Sequence, residues 1–252
     1  MQVNAAMGIN LAFPAQNNNQ TITFTPNRAG KSGTLIAVIL DESGSMSSCK
    51  DATIAGFNEF VQGQSQATQA GQAYLSLVKF CSPNVSTVYE HVPVAQVQAL
   101  TDRTYAPGGG TNLLDAVGET ITRINTFLGT LPDAERPGVL IMIMTDGEEN
   151  ASRTYSHAQI KHMVKVCETE ADFTFMFLGA NVDAFAMGST FGMNASNTAA
   201  YSTASMAATM SVMSDSATKV RMAKSAGIST QELYESQALY SDADRHKMSG
   251  GV

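Results

Sequence analysis

Asp41, Ser43 and Ser45 alternate through a short loop that begins where the apolar run 35–40 ends. Gly44 gives that loop its freedom to turn. An unbroken apolar run reads as a strand buried on both faces, the kind found inside a parallel sheet. Open α/β sheets bind their ligands at the carboxyl ends of such strands. A carboxylate and two hydroxyls are hard oxygen donors. They suit Mg²⁺ or Mn²⁺, which take near-octahedral shells of carboxylates, hydroxyls and waters. Three donors from one loop leave such a shell incomplete, so the chain must supply others. Thr111 follows Gly108-Gly109-Gly110 at the start of a helical pattern, and Asp146 follows a second buried-strand pattern, 139–144, just before Gly147.

The elements that must place these side chains alternate along the chain. Ile54, Phe57, Phe60 and Val61 recur at helical spacing and predict a first helix from Cys49 to about Gln66. Residues 74–80 and 85–89 read as strands flanking Pro83-Asn84, a hairpin signal. Leu113, Leu114, Val117, Ile121, Ile124 and Leu128 mark the next helix. Ser156 with Gln159 makes a capping-box start for another, whose face is Ile160, Met163, Val164 and Cys167. Residues 173–178 form a further buried strand. Met206, Met210, Met213, Ala217 and Val220 stripe a long final helix, a pattern that more often belongs to the core than to a binding face. Strands alternating with helices imply a doubly wound α/β sheet.

Asp-x-Ser-x-Ser, a distant Thr, and Thr-Asp-Gly after an apolar strand resemble the metal-ion-dependent adhesion site of the von Willebrand factor A family. The resemblance covers residues 34–226. It implies a mostly parallel sheet with one antiparallel edge strand and helices on both faces. It also implies that Ser43 and Ser45 ligate a divalent cation directly, and that Thr111, Asp41 and Asp146 do so directly or through water. One coordination position is then left for an acidic group of a protein partner, or for water. Finer details, such as Phe57-Asn58-Glu59-Phe60 and Phe177-Leu178-Gly179-Ala180-Asn181-Val182-Asp183, resemble a narrower group of small stand-alone domains encoded by bacteria and their phages. Glu42, Glu148 and Glu149 read as solvated rim residues that add negative potential around the cation.

Composition bounds the rest. At 252 residues with 44% hydrophobic content, the chain is long enough for one good core plus appendages. A net charge of −7 argues against a nucleic-acid or anionic-membrane surface, and no apolar run is long enough to cross a bilayer. The start of the sequence lacks the basic n-region of a signal peptide, and Cys49, Cys81 and Cys167 read as reduced thiols. A cytoplasmic location, in a host cell or within a virion if phage-encoded, is the expectation. Gly30-Lys31-Ser32 lacks both the earlier glycine and the preceding buried strand of a phosphate loop, so that reading is rejected.

The sequence thus divides into an N-terminal arm (1–33, with a strand pattern at 21–25 and linker chemistry at 26–33), a domain (34–226) and a C-terminal tail (227–252). Its expected function is metal-dependent protein binding, as in adhesion or adaptor modules, with no catalysis. Ser43 lacks the Gly-x-Ser-x-Gly elbow, and His91, His157, His162 and His246 read as surface residues rather than bases. The alternative is a structural subunit of a larger assembly, such as a virion, docking through arm and tail. An accessory to an AAA+ ATPase and a metal-dependent hydrolase rank below both.

Overall fold

Eight consecutive buried residues, Thr34–Asp41, form the central strand β3, and their burial on both faces explains why the sequence there does not alternate. In a computed structural model, the structure describes residues 9–12, 21–24, 33–180, 183–236 and 239–250. A two-stranded antiparallel hairpin, β1 (Ile9–Ala12) and β2 (Thr21–Phe24), precedes β3. The remaining strands are β4 (Ala73–Cys81), β5 (Asn84–Pro93), β6 (Gly138–Thr145), β7 (Phe173–Ala180) and β8 (Thr198–Tyr201). The helices are α1 (Lys50–Gln66), α2 (Leu113–Thr130), α3 (His157–Glu170), α4 (Ala184–Thr190), α5 (Met206–Ser225), α6 (Thr230–Ser236) and α7 (Asp242–Ser249).

The main sheet has the order β5-β4-β3-β6-β7-β8, with β5 antiparallel to β4 and every other pair parallel. Parallel neighbours require helical crossovers, and those crossovers fill both faces. Side chains of β3 alternate between the two cores, as a strand's period of two dictates. Ile36, Val38 and Leu40 join Phe57 and Phe60 of α1 and Met210 and Met213 of α5. Leu35, Ala37 and Ile39 join Val117 and Ile121 of α2 and Ile160 and Met163 of α3. This is the α/β architecture anticipated above, antiparallel edge strand included.

Two regions differ from the expectation. The strand pattern at 21–25 has a partner in β1, and Phe24, only 1% exposed, packs into the core shared by α2 and α3. The short stretch Ile9–Ala12 is too brief for periodicity to reveal. The linker reading of 26–33 and the Gly30-Lys31-Ser32 question fall almost wholly outside the described residues, as does Asn181-Val182. Beyond Ala226 the chain folds back on the domain: Leu233, Leu239, Tyr240 and Met248 are buried in the core that holds α5. Helix α6 covers the edge of β7 before its pairing with β8 begins at Phe177. There Phe175 N donates to Tyr234 Oη at 3.0 Å, and the Thr174 and Thr230 hydroxyls lie 2.9 Å apart. An open strand edge is an aggregation liability, so this cover has a physical purpose. Arg245 of α7 donates to the Thr198 and Ala195 carbonyls. Among the described residues no helix is long and apolar enough to cross a membrane.

Candidate metal centre

Strand β3 delivers Asp41 to the carboxyl end of the sheet in full burial. Its two oxygens are held from opposite sides: Ser43 N donates to Oδ1 at 2.7 Å and Thr145 Oγ1 donates to Oδ2 at 2.6 Å. The chain then tightens into a 3₁₀ turn over Gly44–Cys49, anchored by the buried Met46 and Cys49. That turn places Ser43 Oγ 3.1 Å from Ser45 Oγ, and Ser45 Oγ donates to Asp146 Oδ1 at 2.6 Å. Asp146 follows directly on β6, so the ends of two adjacent parallel strands supply both carboxylates.

Thr111 arrives from a loop. Its main chain is pinned on both sides, with Thr111 N donating to Asn150 Oδ1 at 2.9 Å and its carbonyl accepting from Asn150 N at 3.0 Å. A Cβ built on Gly147 would stand 3.4 Å from Thr111 Oγ1 and 3.6 Å from Ser45 Oγ. The Thr111 and Ser45 hydroxyls therefore both face the Cα of Gly147, at ordinary contact distance from such a Cβ. Asp41, Ser43, Ser45, Thr111 and Asp146 all meet at this end of the sheet.

Burial pushes the carboxyls of both Asp41 and Asp146 up, and the nearby Asp146 charge adds to the rise at Asp41. Hydrogen bonds from Thr145 and Ser43 to Asp41, and from Ser45 to Asp146, work against that rise. Among the described residues no ion pair reaches either carboxylate. Nor is there any group of three or more His, Cys, Asp and Glu side chains placed to hold a metal. The donor set is thus two buried carboxylates and three hydroxyls, all hard oxygens. It fits a small hard divalent cation that retains waters and fits a thiolate- or imidazole-seeking metal poorly. A ligating serine hydroxyl keeps its proton, so the Ser45 to Asp146 hydrogen bond is compatible with that role.

Two of the three expected rim glutamates are framework instead. Glu42 is buried, and its Oε1 accepts from Lys79 Nζ and from Ala106 N, each at 2.6 Å. Glu149 reaches across to the start of α2, where Oε2 accepts from Leu114 N at 2.9 Å and Oε1 from Ser152 N at 2.7 Å. A carboxylate at a helix N-terminus satisfies an orphan donor and meets the positive end of the dipole. Glu148 alone is exposed. Asp115, in the first turn of α2, accepts from the backbone N–H groups of Arg153, Thr154 and Tyr155 and fixes the loop after Asp146. The acidic first turn is a sequence signal that could have marked it. The partners of Glu42, and Leu114 N among those of Glu149, are tertiary and leave no local trace.

The glycine run also divides. Gly109 has φ +73° and a Cβ there would sit 2.6 Å from the Ser82 carbonyl, while one on Gly110 would sit 2.9 Å from Asn150 Oδ1. Gly108 has open space around it. The histidines lie on β5, α3 and α7, away from the loops that form the centre. His91 departs from the surface expectation, since its half-buried ring stacks on Phe127 at 3.7 Å.

No family model and no curated protein matches the chain. Solved structures do. Proximal thread matrix protein 1 from the mussel byssus aligns with a TM-score of 0.53 at 16% identity, over 74% of this chain and 48% of that one. The PilB minor pilin from Streptococcus sanguinis aligns with a TM-score of 0.53 at 11% identity, over 77% of this chain and 62% of that one. The fold is von Willebrand factor A-like. The chain spans about half the length of the byssus protein, and identities this low carry the fold alone.

Proposed function

We propose that this protein is a divalent-cation-dependent protein-binding module. Asp41, Ser43, Ser45, Thr111 and Asp146 would hold Mg²⁺ or Mn²⁺ at the carboxyl end of the sheet. The observation that carries the reading is the burial of Asp41 and Asp146 together, with no ion pair to either among the described residues. Two desolvated carboxylates are costly unless a positive charge offsets them. A bound cation would supply that charge and, surrounded mostly by neutral hydroxyls, would keep enough of it to attract an acidic group of a partner. The chain's own part is to hold the oxygens: Thr145 and Ser43 N fix Asp41, Ser45 fixes Asp146, and Asn150 fixes Thr111. No catalytic role is assigned to the site. The test is a pull-down from the native source with and without EDTA, using wild type and Asp41→Ala. Capture that needs both the cation and Asp41 supports the reading, and capture indifferent to both sinks it.

A second reading, a structural subunit of a larger assembly, draws support from the names of the two similar proteins, a thread matrix protein and a minor pilin. In the region after Ala226 it would have to use outer surfaces, because Leu233, Leu239, Tyr240 and Met248 are already committed to the core while Ile228 is exposed. Binding that survives EDTA favours this reading.

A further inference from the structure

Resting on the metal-binding reading, we propose that the buried Glu42–Lys79 ion pair is a positioning device that sets the Thr111 hydroxyl in the centre, acting through geometry rather than charge. Residues 105–112 adopt neither helix nor strand, so no local structure fixes Thr111. Ties to neighbouring segments must do so. Asn150 and Ala151 hold the main chain of Thr111 itself, Ser82 N donates to Gly110 O at 2.8 Å, and the stretch before them is anchored at Ala106 and Gly108 by Glu42. Its backbone N donates to Phe80 O at 2.9 Å, extending the β3–β4 pairing, and its carbonyl accepts from Gly108 N at 2.9 Å. Its carboxylate takes Ala106 N and Lys79 Nζ, and Lys79 Nζ also donates to the Thr104 carbonyl at 2.6 Å. Tyr105 Oη, donating to Asp41 O at 2.6 Å, and Gly44 N, donating to Gly109 O at 3.1 Å, join the same two segments.

The pair's side chains are 10% and 12% exposed, so water offers little replacement if either is lost. Charge and position make opposite predictions for Lys79. If Glu42 served the cation by its charge, Lys79 would cancel it at 2.6 Å, and removing Lys79 would strengthen cation binding. If the pair positions Thr111, removing Lys79 releases the 104–110 segment and weakens binding.

The experiment measures Mn²⁺ affinity by titration calorimetry on the full chain. Glu42→Ala and Lys79→Met should each weaken binding about tenfold or more, the usual size of an effect through an outer-shell partner. Glu42→Gln, which keeps an acceptor for Ala106 N, should retain most of the affinity. In a Thr111→Ala background, Glu42→Ala should cost little more, because both changes remove the same contact. Hydrogen exchange in EDTA should quicken at Ala106 and Gly108 in Glu42→Ala while β6 stays protected, which shows the variant folded. Unchanged or tighter binding by Lys79→Met, or additive effects of Glu42→Ala and Thr111→Ala, overturns the positioning role. A wild type that takes up no Mn²⁺ overturns the metal reading itself, a distinguishable failure.

Discussion

Ser45 and Asp146, 101 positions apart in sequence, are joined by a 2.6 Å hydrogen bond from the serine hydroxyl to the carboxylate. The bond ties the loop after β3 to the loop after β6 and holds two halves of an oxygen cluster in register.

A consequence concerns stability without metal. Burial disfavours the Asp146 charge, so Asp146→Asn should raise the melting temperature in EDTA while abolishing any rise on adding Mg²⁺. A relief of 1 kcal/mol corresponds to about 2–4 °C for a chain of this size. Thermal melts in EDTA and in Mg²⁺ check both signs. An Asp146→Asn variant that is less stable in EDTA and still responds to Mg²⁺ contradicts the assignment.

The glycine run should respond unevenly. Gly109→Ala meets both a left-handed backbone and the Ser82 carbonyl, and should cost on the order of 1–3 kcal/mol. Gly108→Ala has room and should fall within about 0.5 kcal/mol of wild type. Urea unfolding of the two variants decides, and equal losses count against the loop geometry.

Much of this was legible in the sequence for a simple reason. The runs 35–40 and 139–144 are apolar at every position because β3 and β6 are buried on both faces, and the acidic residues at their ends mark where the sheet stops. Glu42 was misread because its partner Lys79 comes alongside only through the parallel register that sets Leu40 beside it. Glu149 was misread in part for a similar reason, since one of its targets, Leu114 N, lies 35 positions away, beside the nearby Ser152 N. The folding-back of the region after Ala226 escaped notice because α6 and α7 are short and mostly polar, with single residues such as Leu239 and Met248 making the core contacts.

Leu239 tests that last point. It is fully buried, and its carbonyl accepts from Ser216 Oγ of α5 at 2.8 Å. Leu239→Ala should destabilise the whole domain by about 2–5 kcal/mol. A single cooperative denaturant transition shifted to lower midpoint is expected, and an unshifted midpoint would show that this segment is dispensable to the core.

Glu168 gives a pH signature remote from the metal loops. Burial raises its carboxyl to about 7, against the opposing hydrogen bond from Tyr234. The folded state therefore holds a proton that the unfolded chain has released, and stability falls as pH rises from the ordinary value of 4.5 through about 7. Glu168→Gln removes that loss. Its advantage over wild type should be near zero at about pH 4 and grow to on the order of 1–3 kcal/mol by about pH 8. Denaturant midpoints across that range check the slope, and a pH-independent difference contradicts it.

The most direct test of the central claim is the melting temperature of wild type and Asp41→Ala, each in EDTA and in excess Mg²⁺. An ion held only by the folded centre stabilises by mass action, about 2.7 kcal/mol at a hundred times its dissociation constant. The wild type should gain several degrees with Mg²⁺ and Asp41→Ala should gain none. Identical responses of the two proteins would contradict a cation site built on Asp41, Ser43, Ser45, Thr111 and Asp146.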